Sequence, residues 1–282
     1  MARSGSTERR VTPLGPTRAM LAEGPIVDPA TGEVLWVELR RGVVHRTDPD
    51  TQIDTILAEL GEPVGFVLPG DHHDPRPVVG TPQGIRALDG GTAHPLLVPL
   101  PFGGSDTRMN DGARDPAGRV LGGTMVDGVA GRGTLWSFDG STATALLHDL
   151  SISNGIGFPD DGTMLHVDTP TRRIDAYEYD IADGSIGTRR TAFDVSTVAA
   201  LDGGFPDGLV VTDDGGVWLA VWGAGRVVRL APGLDQVVDV IELPTRHPTS
   251  CAVLPDGDLV VSTAREGGDD HPLAGALLRV ST

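Results

Sequence analysis

The sequence of 282 residues contains no lysine, and all 22 residues counted as Lys or Arg are arginine. Without lysine, Schiff-base catalysis and a phosphate-binding loop that ends in Gly-Lys are both excluded. Aspartate and glutamate total 39, so the net charge is −17 and no basic surplus is available to displace the counterions of a nucleic acid. We therefore expect a protein that does not bind nucleic acids or other polyanions.

Only one cysteine is present, Cys251, so internal disulfide bonds are excluded. Long apolar runs are also missing, because stretches such as Leu96 to Phe102 contain proline and are too short to span a membrane. The first ten residues contain no apolar segment of the kind found in signal peptides. These absences predict a cytoplasmic protein that acts without a membrane.

Helical patterns are scarce, whereas the sequence contains 39 glycines and 22 prolines. Only Thr51 to Leu60 has the apolar spacing of an amphipathic helix, and Val195 to Leu201 is a weaker candidate. Elsewhere, short β-branched runs alternate with Asp-Gly and Pro-Asp-Gly turns, which is typical of β-hairpins. The pattern therefore favours an all-β fold.

An apolar pair that follows a turn recurs six times along the chain, at spacings of 42 to 53 residues. The pairs are Leu35-Trp36, Val78-Val79, Val120-Leu121, Met164-Leu165, Val217-Trp218 and Leu259-Val260. This spacing is typical of the four-stranded blade of a β-propeller. The repeat predicts a single six-bladed β-propeller over residues 16–282, preceded by a flexible N-terminal segment, residues 1–15. A β-sandwich with an accidental period is the alternative.

Five repeats carry an oxygen-bearing side chain eleven to thirteen positions before the second residue of the apolar pair. These residues are Glu23, Asn110, Asn154, Asp207 and Thr249. Each is placed at the start of the first strand of its blade, and first strands line the channel of a propeller. Carboxylate and amide oxygens that converge there suit a hard divalent cation such as Ca²⁺, Mg²⁺ or Mn²⁺. Alternatively, Asn154-Gly155 and Asp207-Gly208 are hairpin turns, in which both dipeptides are frequent.

Several short motifs follow one another along the chain. They are Leu21–Pro25, Thr107–Gly112, Asp115–Arg119, Gly122–Met125, Ser153–Gly155, Asp168–Ile174, Phe205–Gly208 and Pro248–Ala252. In this order, from about residue 20 to about residue 265, they resemble the SMP-30/gluconolactonase/luciferin-regenerating-enzyme-like family. The resemblance implies a six-bladed propeller that hydrolyses a sugar lactone or a related cyclic ester, a small-molecule substrate. Separately, we expect the protein to be a monomer or a weak homodimer.

The same resemblance implies which residues form the site. Glu23, Asn154 and Asp207 would hold one divalent cation, Ca²⁺ in the first place, with Zn²⁺, Mn²⁺ or Mg²⁺ as alternatives. Asp207 would also be the general base, and Arg108 and Asn110 would contact the substrate. Asp127 lies near the position where sugar-lactonase members carry Glu, which makes it a further candidate for substrate binding.

Two other positions depart from the family pattern, Ala22 where Gly is usual and Glu38 where Asp is usual.

Two other functions remain open at this point. One is the hydrolysis of other activated esters, including phosphotriesters, and the other is a propeller that binds a partner without catalysis. The trio Glu23, Asn154 and Asp207 favours an enzyme, because a scaffold has no physical need for these side chains at one phase of the repeat.

Other reactive side chains are expected to be structural. Residues 71–74, Asp-His-His-Asp, are flanked by proline and predict a solvated loop. Cys251 lies in an apolar run and is expected in a buried strand, and His148, His166 and His247 are isolated. The four tryptophans, at 36, 136, 218 and 222, are expected to pack in the core.

Overall fold

A computed structural model describes residues 9–101 and 106–282 of the chain. Within these ranges, 24 strands form six antiparallel sheets of four strands each, and the sheets are the blades of a β-propeller. The fold class predicted from the repeat is confirmed, and the alternative of a β-sandwich is wrong.

In each blade the strands follow one another from the central channel to the outer edge, and strands at the same position in different blades are structurally equivalent. The innermost strands are β2 (Ala22–Val27), β6 (Phe66–Leu68), β10 (Thr107–Arg114), β14 (Ser153–Asp160), β18 (Phe205–Val211) and β22 (Pro248–Val253). The second strands are β3 (Val34–Glu38), β7 (Val78–Thr81), β11 (Val120–Val126), β15 (Thr163–Asp168), β19 (Val217–Trp222) and β23 (Leu259–Thr263). All six apolar pairs lie in these second strands and are buried.

The outer half of each blade completes the sheet. The third strands are β4 (Val43–Thr47), β8 (Gly84–Asp89), β12 (Gly133–Asp139), β16 (Arg173–Tyr179), β20 (Arg226–Leu230) and β24 (Leu277–Val280). The outermost strands are β5 (Asp54–Glu59), β9 (Thr92–Pro99), β13 (Thr142–Leu150), β17 (Ile186–Asp194), β21 (Val237–Glu242) and β1 (Val11–Leu14). Aliphatic side chains of neighbouring blades pack against each other, and Trp36, Trp136 and Trp218 are buried among them as predicted.

The ring is closed by β1, which pairs antiparallel with β24. Val11 lies opposite Val280 and Leu14 lies opposite Leu277. The last repeat supplies only three strands of its blade, so the fourth comes from the beginning of the chain. The propeller therefore includes residues 11–14, which the sequence analysis had assigned to the flexible segment, whereas residues 1–8 of that segment lie outside the described residues.

The helix expected at Thr51 to Leu60 is wrong, because Asp54–Glu59 is the outermost strand of the first blade and pairs with β4. Ile53 and Ile56 are 60% and 57% exposed. The spacing of apolar residues in this segment therefore does not indicate the buried face of a helix. The weaker candidate forms two 3₁₀ helices, Val195–Thr197 and Ala199–Leu201, and a third 3₁₀ helix is Thr169–Thr171. No helix within the described ranges is long and apolar enough to cross a membrane.

Candidate active site

A β-bulge interrupts five of the six innermost strands at the phase found in the repeat. The shifts in pairing register lie between Glu23 and Ile26, Met109 and Gly112, Asn154 and Ile156, Pro206 and Leu209, and Pro248 and Ser250. A bulge adds a residue to one strand and changes the direction of the side chains beside it. The polar residues of the repeat thus lie inside strands, so the alternative that Asn154-Gly155 and Asp207-Gly208 are turns is wrong.

Glycines within two of the bulges, Gly155 and Gly208, allow neighbouring innermost strands to approach closely. A Cβ atom on Gly155 would lie 2.7 Å from the carbonyl oxygen of Asp207, and one on Gly208 would lie 2.1 Å from the Ser250 hydroxyl oxygen. Both distances are too short for a side chain, so only glycine fits. This close approach brings the strands of Asn154 and Asp207 together at the channel.

One end of the channel opens into a cavity of about 450 Å³. All six residues that the sequence analysis singled out for the site line this cavity. They are Glu23, Arg108, Asn110, Asp127, Asn154 and Asp207. Glu23, Asn110, Asn154 and Asp207 are each at least nine-tenths buried, so their polar atoms face the cavity or one another rather than bulk water.

Thr249, the fifth member of the repeat phase, has a different role. Its hydroxyl group is fully buried, donates to the carbonyl oxygen of Ala22 at 2.7 Å, and lies 2.6 Å from the Ser262 hydroxyl oxygen. Thr249 therefore ties the sixth blade to the first, next to Glu23, and its oxygen is engaged by the protein. The expectation that five oxygen atoms converge on the axis is thus reduced to four.

A chain of hydrogen bonds fixes the two amide side chains of the cavity. Arg108 Nη1 donates to Asn110 Oδ1 at 2.7 Å, and Asn110 Nδ2 donates to Asn154 Oδ1 at 2.8 Å. Asn154 Nδ2 donates to Thr169 Oγ1 at 2.8 Å, and that hydroxyl donates to the carbonyl oxygen of Pro206 at 2.9 Å. Thr169, which lies off the repeat phase, thus fixes the orientation of the Asn154 amide: the amide nitrogen faces Thr169 and the amide oxygen faces Asn110. The sequence analysis did not find this role.

Two of the carboxylates that line the cavity, Glu23 and Asp207, lie in an environment that penalises their charge. Burial and the nearby Glu23 carboxylate raise the pKa of Asp207 well above its ordinary value. Burial, and then the charge of Asp111, raise the pKa of Glu23 to about 8. Asp207 Oδ1 is buried and has no hydrogen-bond partner among the described residues. A bound cation would relieve both the desolvation cost and the repulsion.

The donor set for such a cation consists of two carboxylates and one carboxamide. No group of three or more His, Cys, Asp or Glu side chains with the arrangement of a metal site occurs in the part of the chain that the structure describes. Oxygen-only donors that include an amide are typical of Ca²⁺ and other hard divalent cations. The residues present therefore fit a hard cation better than a thiolate-bound or imidazole-bound metal.

Asp127 holds two arginines at the mouth of the cavity. Its Oδ1 atom accepts from Arg108 Nε at 3.1 Å and lies 3.0 Å from Arg108 Nη2, and its Oδ2 atom pairs with Arg40 Nη1. Burial opposes the charge of Asp127, but the bonds from Arg108 and Arg40 prevail and lower its pKa. Both oxygens of this predicted substrate contact are thus engaged by arginine. Arg40, on the turn after β3, is a cavity residue that the repeat did not indicate.

The remaining wall of the cavity is apolar. It includes Leu21, Met125, Ile152, Pro170, Phe205 and Trp222. Phe205 is 38% exposed, and the half-buried Trp222 stacks on His247 with ring centroids 4.3 Å apart. Trp222 therefore departs from the core position predicted for all four tryptophans. A polar edge and an apolar wall suit a cyclic ester with one hydroxylated edge.

The other reactive side chains lie outside this cavity. Cys251 is buried in β22 as predicted, and burial raises the pKa of its thiol to about 12. His166 is buried, with Nε2 2.9 Å from the Ser153 hydroxyl oxygen, and burial lowers its pKa to about 4. His72 and His73 are exposed in a loop, as predicted for the Asp-His-His-Asp segment.

Known proteins similar in sequence share most of the chain. The 6-deoxy-6-sulfogluconolactonase of Pseudomonas putida is 33% identical over 271 residues, which cover 92% of this chain and 90% of that protein. Pentonolactonase XacC of Haloferax volcanii is 33% identical over 274 residues, which cover 94% and 88%. Two proteins similar to this chain over most of its length are thus lactonases by name.

Solved structures show the same fold. A calcium-binding protein, regucalcin, from Agrobacterium tumefaciens superimposes with a TM-score of 0.86 at 27% identity, covering 95% of this chain and 92% of that one. A luciferin-regenerating enzyme gives a TM-score of 0.85 at 25% identity, covering 97% and 95%. The family model described as the SMP-30/Gluconolactonase/LRE-like region matches residues 21–280. The chain belongs to the SMP-30/gluconolactonase/LRE-like family.

Proposed function

We propose that the protein is a divalent-metal-dependent hydrolase that opens a sugar lactone or a related cyclic ester. The observation that carries this proposal is the meeting of Glu23, Asn154 and Asp207, from three different blades, in one cavity beside Arg108. The lactonases among the similar proteins support the same reaction class.

Glu23, Asn154 and Asp207 would hold the cation through their side-chain oxygens. The buried Asp207 Oδ1 atom lacks a partner among the described residues, and the Asn154 oxygen has a fixed direction, so both are prepared for a ligand. Ca²⁺ suits this oxygen set first, and Mg²⁺, Mn²⁺ or Zn²⁺ are alternatives. When bound, such an ion polarises an ester carbonyl and stabilises the negative charge that develops on its oxygen.

Arg108 and Asn110 would orient the lactone in the cavity. Arg108 is almost completely buried, and its hydrogen bonds to Asp127, to the Met109 carbonyl oxygen and to Asn110 hold its guanidinium plane in place. A plane held in this way presents its remaining donor to a substrate hydroxyl or ring oxygen at a defined angle. Asn110 Oδ1, which accepts one bond from Arg108, retains a lone pair for a second donor.

Asp207 would act as the general base. The carboxylate oxygen of Asp207 that does not hold the cation would take a proton from the attacking water as the water oxygen bonds to the carbonyl carbon. The ring C–O bond then breaks, and the proton passes from Asp207 to the departing ring oxygen. The product is a hydroxy acid whose carboxyl group ionises, so each turnover releases one proton to solution.

The test is a proton-release assay on a panel of aldonolactones and aliphatic lactones, performed after chelation and after addition of each metal in turn. We expect turnover that depends on the metal and that Asp207→Asn lowers by about a thousandfold while the metal remains bound. Turnover of phosphotriesters instead would identify the other hydrolase activity. Ligand binding without turnover of any ester would identify a binding module.

A further inference from the structure

Arg40 forms a bridge across the mouth of the cavity between three blades. It lies on the turn after β3, whereas Asp127 follows β11 of the third blade and Glu266 follows β23 of the sixth. All three residues line the cavity, and their side chains are 36%, 48% and 38% exposed, respectively. A substrate that enters from solvent therefore meets these side chains first.

Every nitrogen of the Arg40 guanidinium group is bonded to a carboxylate. Nε donates to Glu266 Oε2 at 3.2 Å, Nη2 donates to Glu266 Oε1 at 2.8 Å, and Nη1 donates to Asp127 Oδ2. The two bonds to Glu266 form a bidentate pair, the strongest arrangement for these groups. Each guanidinium nitrogen of Arg40 thus already has a carboxylate partner. None is left unpaired to bind a negatively charged substituent of a substrate.

The charges at the mouth cancel. Arg40 and Arg108 contribute two positive charges, and Asp127 and Glu266 contribute two negative charges. The chain carries a net charge of −17, so an anion gains nothing from the protein as a whole either. Among the described residues, Glu266 is bonded to Arg40 alone, and it occupies two of the three guanidinium nitrogens, so it largely decides whether Arg40 is available.

We propose that Glu266, by occupying Arg40, makes the cavity selective for uncharged lactones over lactones with an anionic substituent such as a carboxylate. This inference rests on the proposed lactonase function and names the charge class of its substrate. A neutral lactone donates hydroxyl hydrogens to the carboxylate edge and accepts from the arginines without disturbing the bridge. An anionic lactone must displace Glu266 from Arg40, which leaves the Glu266 carboxylate unpaired, or remain in the cavity without a cationic partner of its own.

The experiment compares kcat/KM for two lactones of the same ring size, the five-membered lactone of gluconic acid, which is neutral, and that of glucaric acid, which carries a free carboxylate. The readout is the ratio of the anionic to the neutral value. We expect Glu266→Gln to raise this ratio about fivefold, the upper range for a partly exposed pair. Arg40→Gln removes the positive charge and keeps Glu266, so it should lower the ratio.

The matched control is Glu242→Gln, because Glu242 also pairs with an arginine, Arg226, at 2.8 Å but lies outside the cavity. We expect its ratio to equal that of the wild type. In the wild type, high salt should bring the ratio closer to one, because screening weakens repulsion between exposed charges.

The outcomes separate the two proposals. Wild-type protein that opens neither of these lactones nor any other lactone of the panel, at any metal concentration, would contradict the lactonase function itself. Wild-type protein that opens both lactones with equal efficiency, or a Glu266→Gln ratio that does not rise, would overturn the selectivity while leaving the lactonase function intact. Shifts of the same sign in Glu266→Gln and Arg40→Gln would also overturn it, since a loss of local structure alone affects both variants alike.

Discussion

The central channel opens into a cavity at each end, and the two cavities differ in chemistry although the same strands line both. Glu23, Asn154 and Asp207 line the cavity of about 450 Å³. Ile26, Ile156 and Leu209 of the same strands line the opposite cavity, of about 1100 Å³, together with charged residues such as Asp111 and Arg229. In the strands of Glu23 and Asn154 the bulge lies between the polar and the apolar residue, and in the third strand Asp207 lies within the bulge that precedes Leu209. Along these three strands, the bulges thus mark the change from a polar position at one cavity to an apolar position at the other.

The first prediction compares one carboxylate from each cavity. Asp207→Asn should lower kcat by about a thousandfold, within the range for loss of a general base. Asp111 lines the opposite cavity, and burial raises its pKa to about 6. Asp111→Asn should lower kcat less than tenfold, because Asp111 acts on the site only through its charge. Lactone turnover of both variants, with metal content measured, checks this, and equal losses would contradict the division of the channel.

The repeat period explains why much of this division could be predicted from the sequence. The spacing of Glu23, Asn154 and Asp207 follows from blade geometry, which repeats along the chain. Arg40, Thr169 and Glu266 reach the cavity from turns, whose lengths and directions differ between blades, so no period marks them.

The outermost strands of the blades were harder to predict from the sequence, for a related reason. The strand Asp54–Glu59 is largely exposed, so burial does not impose an alternating apolar pattern on it. The strand Val11–Leu14 belongs to the last blade because of a pairing with Leu277–Val280 that is remote in sequence. Local patterns therefore identify the inner strands of a blade better than its edge.

The second prediction concerns the interior of the fourth blade, where the buried His166 lies beside Ser153. Burial holds the His166 pKa at about 4, whereas the unfolded chain binds a proton near pH 6.5. Stability should thus be complete above pH 6.5 and fall as the pH drops towards 4, by about 3 kcal/mol from this group. The measurement is the free energy of unfolding against pH.

The controls for this prediction use the slope rather than the absolute stability. In His166→Gln the slope between pH 6.5 and 4 should be smaller than in the wild type. His148 is exposed on an outermost strand, so His148→Gln should keep the wild-type slope. A wild-type slope in His166→Gln would show that other groups govern acid sensitivity.

The third prediction tests whether the innermost strands of the fourth and fifth blades must approach as closely as the structure shows. Gly155→Ala places a Cβ atom 2.7 Å from the backbone oxygen of Asp207, so strands β14 and β18 must separate. We expect a loss of about 2 kcal/mol in the free energy of unfolding. Gly162 lies in a turn where the nearest atom to an added Cβ is 3.6 Å away, so Gly162→Ala should change stability by less than 1 kcal/mol. Denaturant unfolding of both variants decides, and similar losses would contradict the close approach.

The fourth prediction sharpens the polar side of the comparison. Thr169→Val removes the hydroxyl group that orients the Asn154 amide and should weaken metal binding about tenfold, whereas Thr169→Ser should restore it. Thr171, in the same 3₁₀ turn, donates to the Asp168 carbonyl oxygen instead. Calorimetric metal titration should give wild-type affinity for Thr171→Val. If Thr169→Val also bound as tightly as the wild type, the amide would not need this support.

The most direct test of the account is a divalent-metal titration of chelated protein in which bound metal and lactone turnover are measured in the same samples. We predict one ion per chain, turnover proportional to its occupancy, and loss of the binding event in the combined variant Glu23→Gln, Asp207→Asn. Full lactone turnover in wild-type protein shown by elemental analysis to contain no metal would contradict the account.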